Sequence, residues 1–316
     1  MIKGPRFRLG SPRAFEPAAP CVLFVTLVAC LLVFADLHAQ KLAFKETHTL
    51  RARWELADSL RNGTFLITPY RPVYVLPAVW SSAPNRSPHR FEAPPSTDPP
   101  IPLDPVECKF QFSFKTKVVQ GLFKDRGDLW VGYTQSSRWQ VYNSGLSRPF
   151  RETNYEPEVM LVVPTNYRLF GVRGRLLALG LNHQSNGGGE PFSRSWNRVV
   201  LQVGLERGRY TLLLRPWLRI PESRTTDDNP DINGLVGNGE VLLVFRHKSH
   251  LASVQVRSPF IEHPFLGGSV QGDWSFTISG PLKAHLQVFH GFGESLLDYN
   301  HEQTTIGLGV SLLDWL

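Results

Sequence analysis

Cysteine is scarce in this chain, with three in 316 residues. Cys21 and Cys30 fall in an N-terminal apolar run, so Cys108 alone serves the remainder, which excludes an intrachain disulfide framework and a cysteine-based metal site. Beyond residue 40 no apolar run is long enough for a membrane helix. The basic residues form no aromatic-interleaved groove, so no nucleic-acid partner is expected. Gly187-Gly188-Gly189 is not followed by Lys-Ser/Thr and is no phosphate loop. Asn229, Asp231, Asn233, Gly234 and Glu240 fall at EF-hand spacing, but Asn takes the place of the first Asp, Pro230 intrudes and no helices flank the loop.

The N-terminus has its own pattern. Lys3, Arg6, Arg8 and Arg13 precede an apolar stretch from Cys21 to Ala35, and Leu37-His38-Ala39 follows. This reads as a secretory signal peptide over residues 1–39, with lipidation at Cys30 as the alternative. Removing it takes away those four basic residues together with Glu16 and Asp36, so the formal charge falls from +7 to +5. Residues 40–105 read as an extension with one short helix near Leu50–Arg61, a short strand at Val73–Leu76 and a linker rich in Pro and Ser from Ser81. No catalytic group is expected there.

From 106 to 316 the chain resolves into about 12 short apolar or alternating runs. Among them are 107–118, 127–135 and 138–144, with a turn at Ser136-Ser137. The connections alternate between tight turns and long loops. This predicts an all-β, antiparallel up-and-down barrel. In the last run Ile306, Leu308, Val310 and Leu312 share one face, while Gln303, Thr305, Gly307, Gly309 and Ser311 share the other. Val199, Leu201, Val203 and Leu205 likewise oppose Arg198, Gln202, Gly204 and Glu206. An apolar outer face and a polar lumen fit a transmembrane barrel of the outer membrane better than a soluble one.

One hairpin carries residues of catalytic type. His183 and Ser185, two apart in a strand, share a face about 6.5–7 Å apart, so the imidazole can lean onto the hydroxyl as its base. Antiparallel pairing brings Asn197 back beside His183, where its amide oxygen can hold the ring tautomer. His-x-Ser alone is common at strand ends; the context gives it weight. His183 continues the phase of Leu177, Leu179 and Leu181, and Asn197 that of Val199 and Leu201. The three residues would face lipid at the long-loop rim, which points to a lipid ester as substrate. A passive channel, or an inactive relative built on the same barrel, is the alternative.

These residues sit in blocks that resemble the bacterial outer membrane phospholipase A family. The blocks are Tyr133-Thr134-Gln135, Arg148 to Pro157, Asn182 to Gly187 with Ser193 to Arg198, Thr226 to Ile232, and Gly293 to Asn300. The resemblance implies a calcium-dependent phospholipase A1/A2 acting on phospholipids and lysophospholipids from the outer-leaflet rim. Ser185 would be the nucleophile, His183 the base and Asn197 the orienter. It places the oxyanion amide on Gly187 and the calcium ligands on the Gly188 carbonyl, the Ser193 hydroxyl, Asp228 and Ser147 of a second protomer. Gln135 corresponds to a polar residue of the family's dimer interface, so a reversible homodimer is implied. Gly188 and Gly189 depart from the family's Arg-Ser, and Glu190 stands where Asp is usual.

Overall fold

The structure is a computed structural model that describes residues 47–90, 97, 99–146, 150–223, 227–260 and 267–316. The signal peptide expected over residues 1–39 lies outside these residues. The strands are β1 (Ile67–Pro69), β2 (Val73–Ser81), β3 (Val106–Gly121), β4 (Gly127–Trp139), β5 (Phe150–Pro164), β6 (Arg168–Leu169), β7 (Val172–Ser185), β8 (Ser195–Arg207), β9 (Tyr210–Ile220), β10 (Gly239–His247), β11 (His250–Ser258), β12 (Ser269–Ser279), β13 (Leu282–Gly291) and β14 (Gln303–Leu313). Leaving aside the short β1 and β6, the other 12 pair in one antiparallel ring, closed where β14 meets β2. Closure removes the unpaired sheet edges that lipid could not satisfy.

The number of barrel strands matches the sequence reading, but two of its members differ. Ser136-Ser137 is not a turn: β4 runs straight through it, pairing Ser136 with Asn154 and Ser137 with Thr153. The missing member is β2, whose first half was expected as a short strand at Val73–Leu76 but in the extension rather than in the barrel. Pro77 within it resembles a strand breaker, yet the register shifts between Leu76 and Val79 and absorbs the residue that lacks an N–H. The expected helix near Leu50–Arg61 is reduced to one turn, Leu50–Arg53, capped by Thr49 Oγ1, and a 3-10 turn at Asp58–Leu60.

Side-chain alternation sorts the strands as a membrane barrel requires. Leu179, Leu181, Leu218 and Leu308 are more than half exposed on the outer face. The inner face is charged and paired. Arg71 meets Glu156 at 2.8 Å and Glu158 at 3.0 Å, while Arg215 reaches Glu158 at 2.7 Å and Arg198 reaches Glu156 at 3.1 Å. Buried charges persist only when paired in this way.

The N-terminal turn closes the short-turn end from inside. Leu50 N donates to Glu206 Oε1 at 2.6 Å. Trp54 packs edge-on against Tyr70 and Trp130, with centroids 5.8 Å apart in each case. Lys115, fully buried, donates to the carbonyls of Arg53 and Pro69 beneath these rings. Paired charges and an aromatic cluster thus occupy the lumen of the described barrel.

Candidate active site

The hairpin of β7 and β8 presents its catalytic-type residues outward and anchors itself inward. Cα pairing sets His183 opposite Asn197 and Ser185 opposite Ser195. His183 Nδ1 lies 2.8 Å from Asn197 Oδ1. The intervening residues face the lumen: Asn182 Nδ2 donates to Glu156 at 2.9 Å, Trp196 Nε1 to Gln184 Oε1 at 2.9 Å, and Arg198 to Asn182 Oδ1 at 2.5 Å. The outer residues therefore stand on a backbone fixed by an inner hydrogen-bond network. Such support is what holds a reacting group in place.

Asn186 shapes the loop beyond Ser185. Its Oδ1 accepts from Gly188 N at 3.2 Å and Arg194 N at 3.0 Å, and its Nδ2 donates to Phe192 O at 2.8 Å. Gly187 sits at a φ of 61°, where an added Cβ would also come within 3.1 Å of the Tyr155 ring. A side chain at the position expected to present an amide to the oxyanion would therefore be strained in its backbone and tight against that ring.

The residues that the resemblance assigned to calcium are partly brought together. Ser193 Oγ donates to Asp228 Oδ2 at 2.6 Å, and Gly188 is exposed on the same loop. Ser147 lies outside the described residues. Arg90 reaches Asp228 Oδ1 at 2.7 Å and also pairs with Glu190, so one guanidinium joins both acids of this face. Arg194 fixes the segment that carries it by donating to His89 O at 2.9 Å. Burial pulls the Arg194 guanidinium below its usual pKa. Among the described residues no group of three or more His, Cys, Asp or Glu is arranged as a metal site.

Gln135 faces outward, in register with the site: Phe112, Gln135, Tyr155 and Ser185 pair in sequence across β3, β4, β5 and β7. Two strand spacings separate Gln135 from Ser185, about 10 Å. Tyr133 Oη donates to Gln135 Oε1 at 2.9 Å, which satisfies part of an amide on an otherwise apolar face. From the sequence alone such a residue is more often a lumen or rim residue; the register of the unbroken β4 sets it outside.

Two contributors, Glu222 and Arg90, leave no mark in the sequence analysis. Glu222 Oε1 accepts from Asn197 Nδ2 at 3.2 Å; it lies two residues past Ile220, in the outward phase of Leu218 and Ile220, which was the available signal. Arg90 lies in a segment expected to hold no catalytic group. The block Gly293 to Asn300, which the resemblance picked out without giving it a role, is the loop joining β13 to β14: its Glu294 meets Lys109 at 2.7 Å and also Arg138, and its Asp298 meets Arg151 at 2.9 Å. Burial alone would raise both carboxyl pKa values, but these cations outweigh it and hold them below the usual range.

Comparison with known proteins identifies the family and the barrel fold. Residues 50–312 match the family described as phospholipase A1. A putative phospholipase A1 of Neisseria meningitidis is 39% identical over 271 residues, covering 84% of this chain and 70% of its own. The phospholipase A1 of Escherichia coli K12 is 39% identical over 210 residues, covering 66% of this chain and 70% of its own. The outer membrane phospholipase of Salmonella typhi, solved as a dimer with bound calcium, superposes with a TM-score of 0.73 at 32% identity, over 83% of this chain and 98% of that one. A barrel with a polar, filled lumen and a Ser-His-Asn hairpin on its outer face thus belongs to the phospholipase A1 family of outer membrane barrels.

Proposed function

We propose that this phospholipase cleaves acyl esters with Ser185 as nucleophile, His183 as general base and Asn197 as orienter. The observation that carries the reading is the 2.8 Å contact of His183 Nδ1 with Asn197 Oδ1, on the face where Ser185 also stands. Asn197 Oδ1 accepts from Nδ1–H, so Nε2 is the basic nitrogen. Nε2 takes the proton as Ser185 Oγ attacks the ester carbonyl. The Gly187 amide donates to the oxyanion. Collapse breaks the ester C–O bond, and His183 returns the proton to the leaving glycerol oxygen. Water then attacks the acyl-serine by the same route in reverse, releasing a fatty acid and freeing Ser185. Either acyl position of a phospholipid, or a lysophospholipid, offers this ester.

The residues fit calcium in chemistry. The Gly188 carbonyl, the Ser193 hydroxyl and the Asp228 carboxylate are hard oxygen donors on one loop face, and the convergence of Asp228 and Glu190 on Arg90 marks that face as a seat for positive charge. Calcium bound there would supply positive charge to the developing oxyanion, which a neutral Asn197 leaves in need of help. These donors are too few on one chain for tight binding, so a second protomer contributing Ser147 completes the set. Gln135 and the apolar row beside it form the face of that reversible dimer. Residues 1–39 direct export as a signal peptide, 40–105 form the extension and 106–316 carry most of the barrel.

Hydrolysis of phosphatidylcholine by purified protein in detergent, with calcium and with chelator, tests the reading. Fatty acid release that requires calcium is expected. Release unaffected by chelation contradicts the metal assignment, and absence of release in calcium contradicts the catalytic one.

A further inference from the structure

An asparagine orienter has a weakness that an aspartate lacks. Its two ends are nearly the same shape, and rotation by 180° replaces the carbonyl oxygen with an NH2 group. In that orientation His183 Nδ1 would have to accept, the ring proton would move to Nε2, and Nε2 could no longer take a proton from Ser185. Something must therefore distinguish the two ends of Asn197. The structure supplies one candidate, because Asn197 Nδ2 donates to Glu222 Oε1 at 3.2 Å while Asn197 Oδ1 meets His183 Nδ1 at 2.8 Å. An ionised carboxylate only accepts, so a flipped amide would set oxygen against oxygen.

We propose that Glu222 is a positioning residue for the esterase reaction, holding the Asn197 amide in the one orientation that leaves His183 Nε2 basic. The inference rests on the Ser185–His183–Asn197 reading above. The placement of Glu222 follows from the fold. Asn197 pairs with Ile220 across β8 and β9, and Glu222 extends the outward phase two residues further, which makes it a diagonal neighbour of Asn197. Its loop is tied down from the other side of the strand: Arg219 pairs with Asp227 at 2.6 Å, and the same Asp227 carboxylate accepts from Asn229 N at 3.0 Å. The carboxylate also adds a negative charge one amide away from the imidazolium that forms as Ser185 attacks. A neutral third member does not provide that charge by itself.

The test is a double-mutant cycle in purified, refolded protein, with folding checked by the heat-dependent gel shift of the barrel. Glu222→Ala is expected to lower kcat about tenfold with KM unchanged, equivalent to about 1.4 kcal/mol. Glu222→Gln, whose Oε1 can still accept but which carries no charge, should recover part of that loss. In an Asn197→Ala background Glu222→Ala should change kcat less than about twofold, because the residue acts through the amide that is gone. Wild-type kcat in Glu222→Ala, or losses that multiply in the double variant, would overturn the role of Glu222 while leaving the triad intact. Activity retained in Ser185→Ala would instead remove the triad reading itself, so the two failures are distinct.

Discussion

At the scale of single residues, the account turns on what a neutral orienter can and cannot do. In the proposed triad Asn197 orients His183 through the 2.8 Å contact but carries no charge of its own, so replacing it should cost less than the roughly 10⁴-fold attached to a charged third member. Asn197→Ala is therefore expected to retain measurably more kcat than His183→Ala, and equal losses in a steady-state ester assay would show that Asn197 does more than orient. Arg90 lends itself to a different experiment. Its guanidinium joins Glu190 to Asp228, one of the proposed calcium donors, and must give way before a divalent cation can reach that carboxylate. Arg90→Ala should bind calcium more tightly by several-fold, read as terbium luminescence displaced by calcium. Unchanged or weaker binding would mean that Arg90 holds the loop rather than competes for it.

At the scale of elements, the loop joining β13 to β14 has a pH dependence of definite sign. Glu294 and Asp298 have carboxyl pKa values held below the ordinary range by Lys109, Arg138 and Arg151. Their contribution is fully present above the unfolded values, about 4, and is lost as pH falls through the lower folded ones. Amide hydrogen exchange in residues 293–300 should stay slow from pH 7 to about 5 and accelerate, beyond its intrinsic pH dependence, below about 4. Protection that persists to pH 2 would show that apolar burial of Leu296 and Tyr299 holds the loop by itself. Asp298→Asn should move the transition upward in pH.

Elements also mark what the sequence could disclose. Period-two alternation in β7, β8 and β14 was legible because the two faces meet opposite solvents, lipid and a polar lumen. That alternation set His183 and Asn197 outward, side by side, as the register shows. β2 was half visible: the strand expected at Val73–Leu76 is its first half, but Pro77 interrupts the pattern, and its neighbours β3 and β14, far away in sequence, carry it on to Ser81 and into the ring. Ser136-Ser137 misled in the other direction, since two serines within a strand look like a turn until both neighbouring strands are known. Arg90 and Glu222 were invisible for a different reason. Each works through a partner more than 20 residues away, across loops whose path no local spacing encodes.

At the scale of the whole molecule, the barrel turns the usual arrangement of an enzyme inside out. Paired charges fill the lumen, and the reactive hairpin faces the lipid. On the proposed reading the substrate arrives by diffusion in the membrane plane, and a second barrel against the Gln135 face would wall a groove for its acyl chain. If Ser147 of one protomer and Gly188 and Ser193 of the other share calcium, binding and pairing must favour each other by the same factor. Crosslinking in detergent should show a larger dimer fraction in millimolar calcium than in chelator, with activity rising in parallel. A monomer fully active in chelator would contradict the shared site and leave the hairpin chemistry standing.

The claim on which the rest depends is that Ser185 is the acylated residue. A long-chain alkyl sulfonyl fluoride presents a serine nucleophile with an apolar tail and an electrophile that does not turn over. Incubated with the purified protein in calcium, it should add one label per chain, located by mass spectrometry on Ser185, with activity lost in proportion, and His183→Ala should label far more slowly. Labelling of another residue with full inactivation, or labelling of Ser185 that leaves hydrolysis intact, would contradict the account.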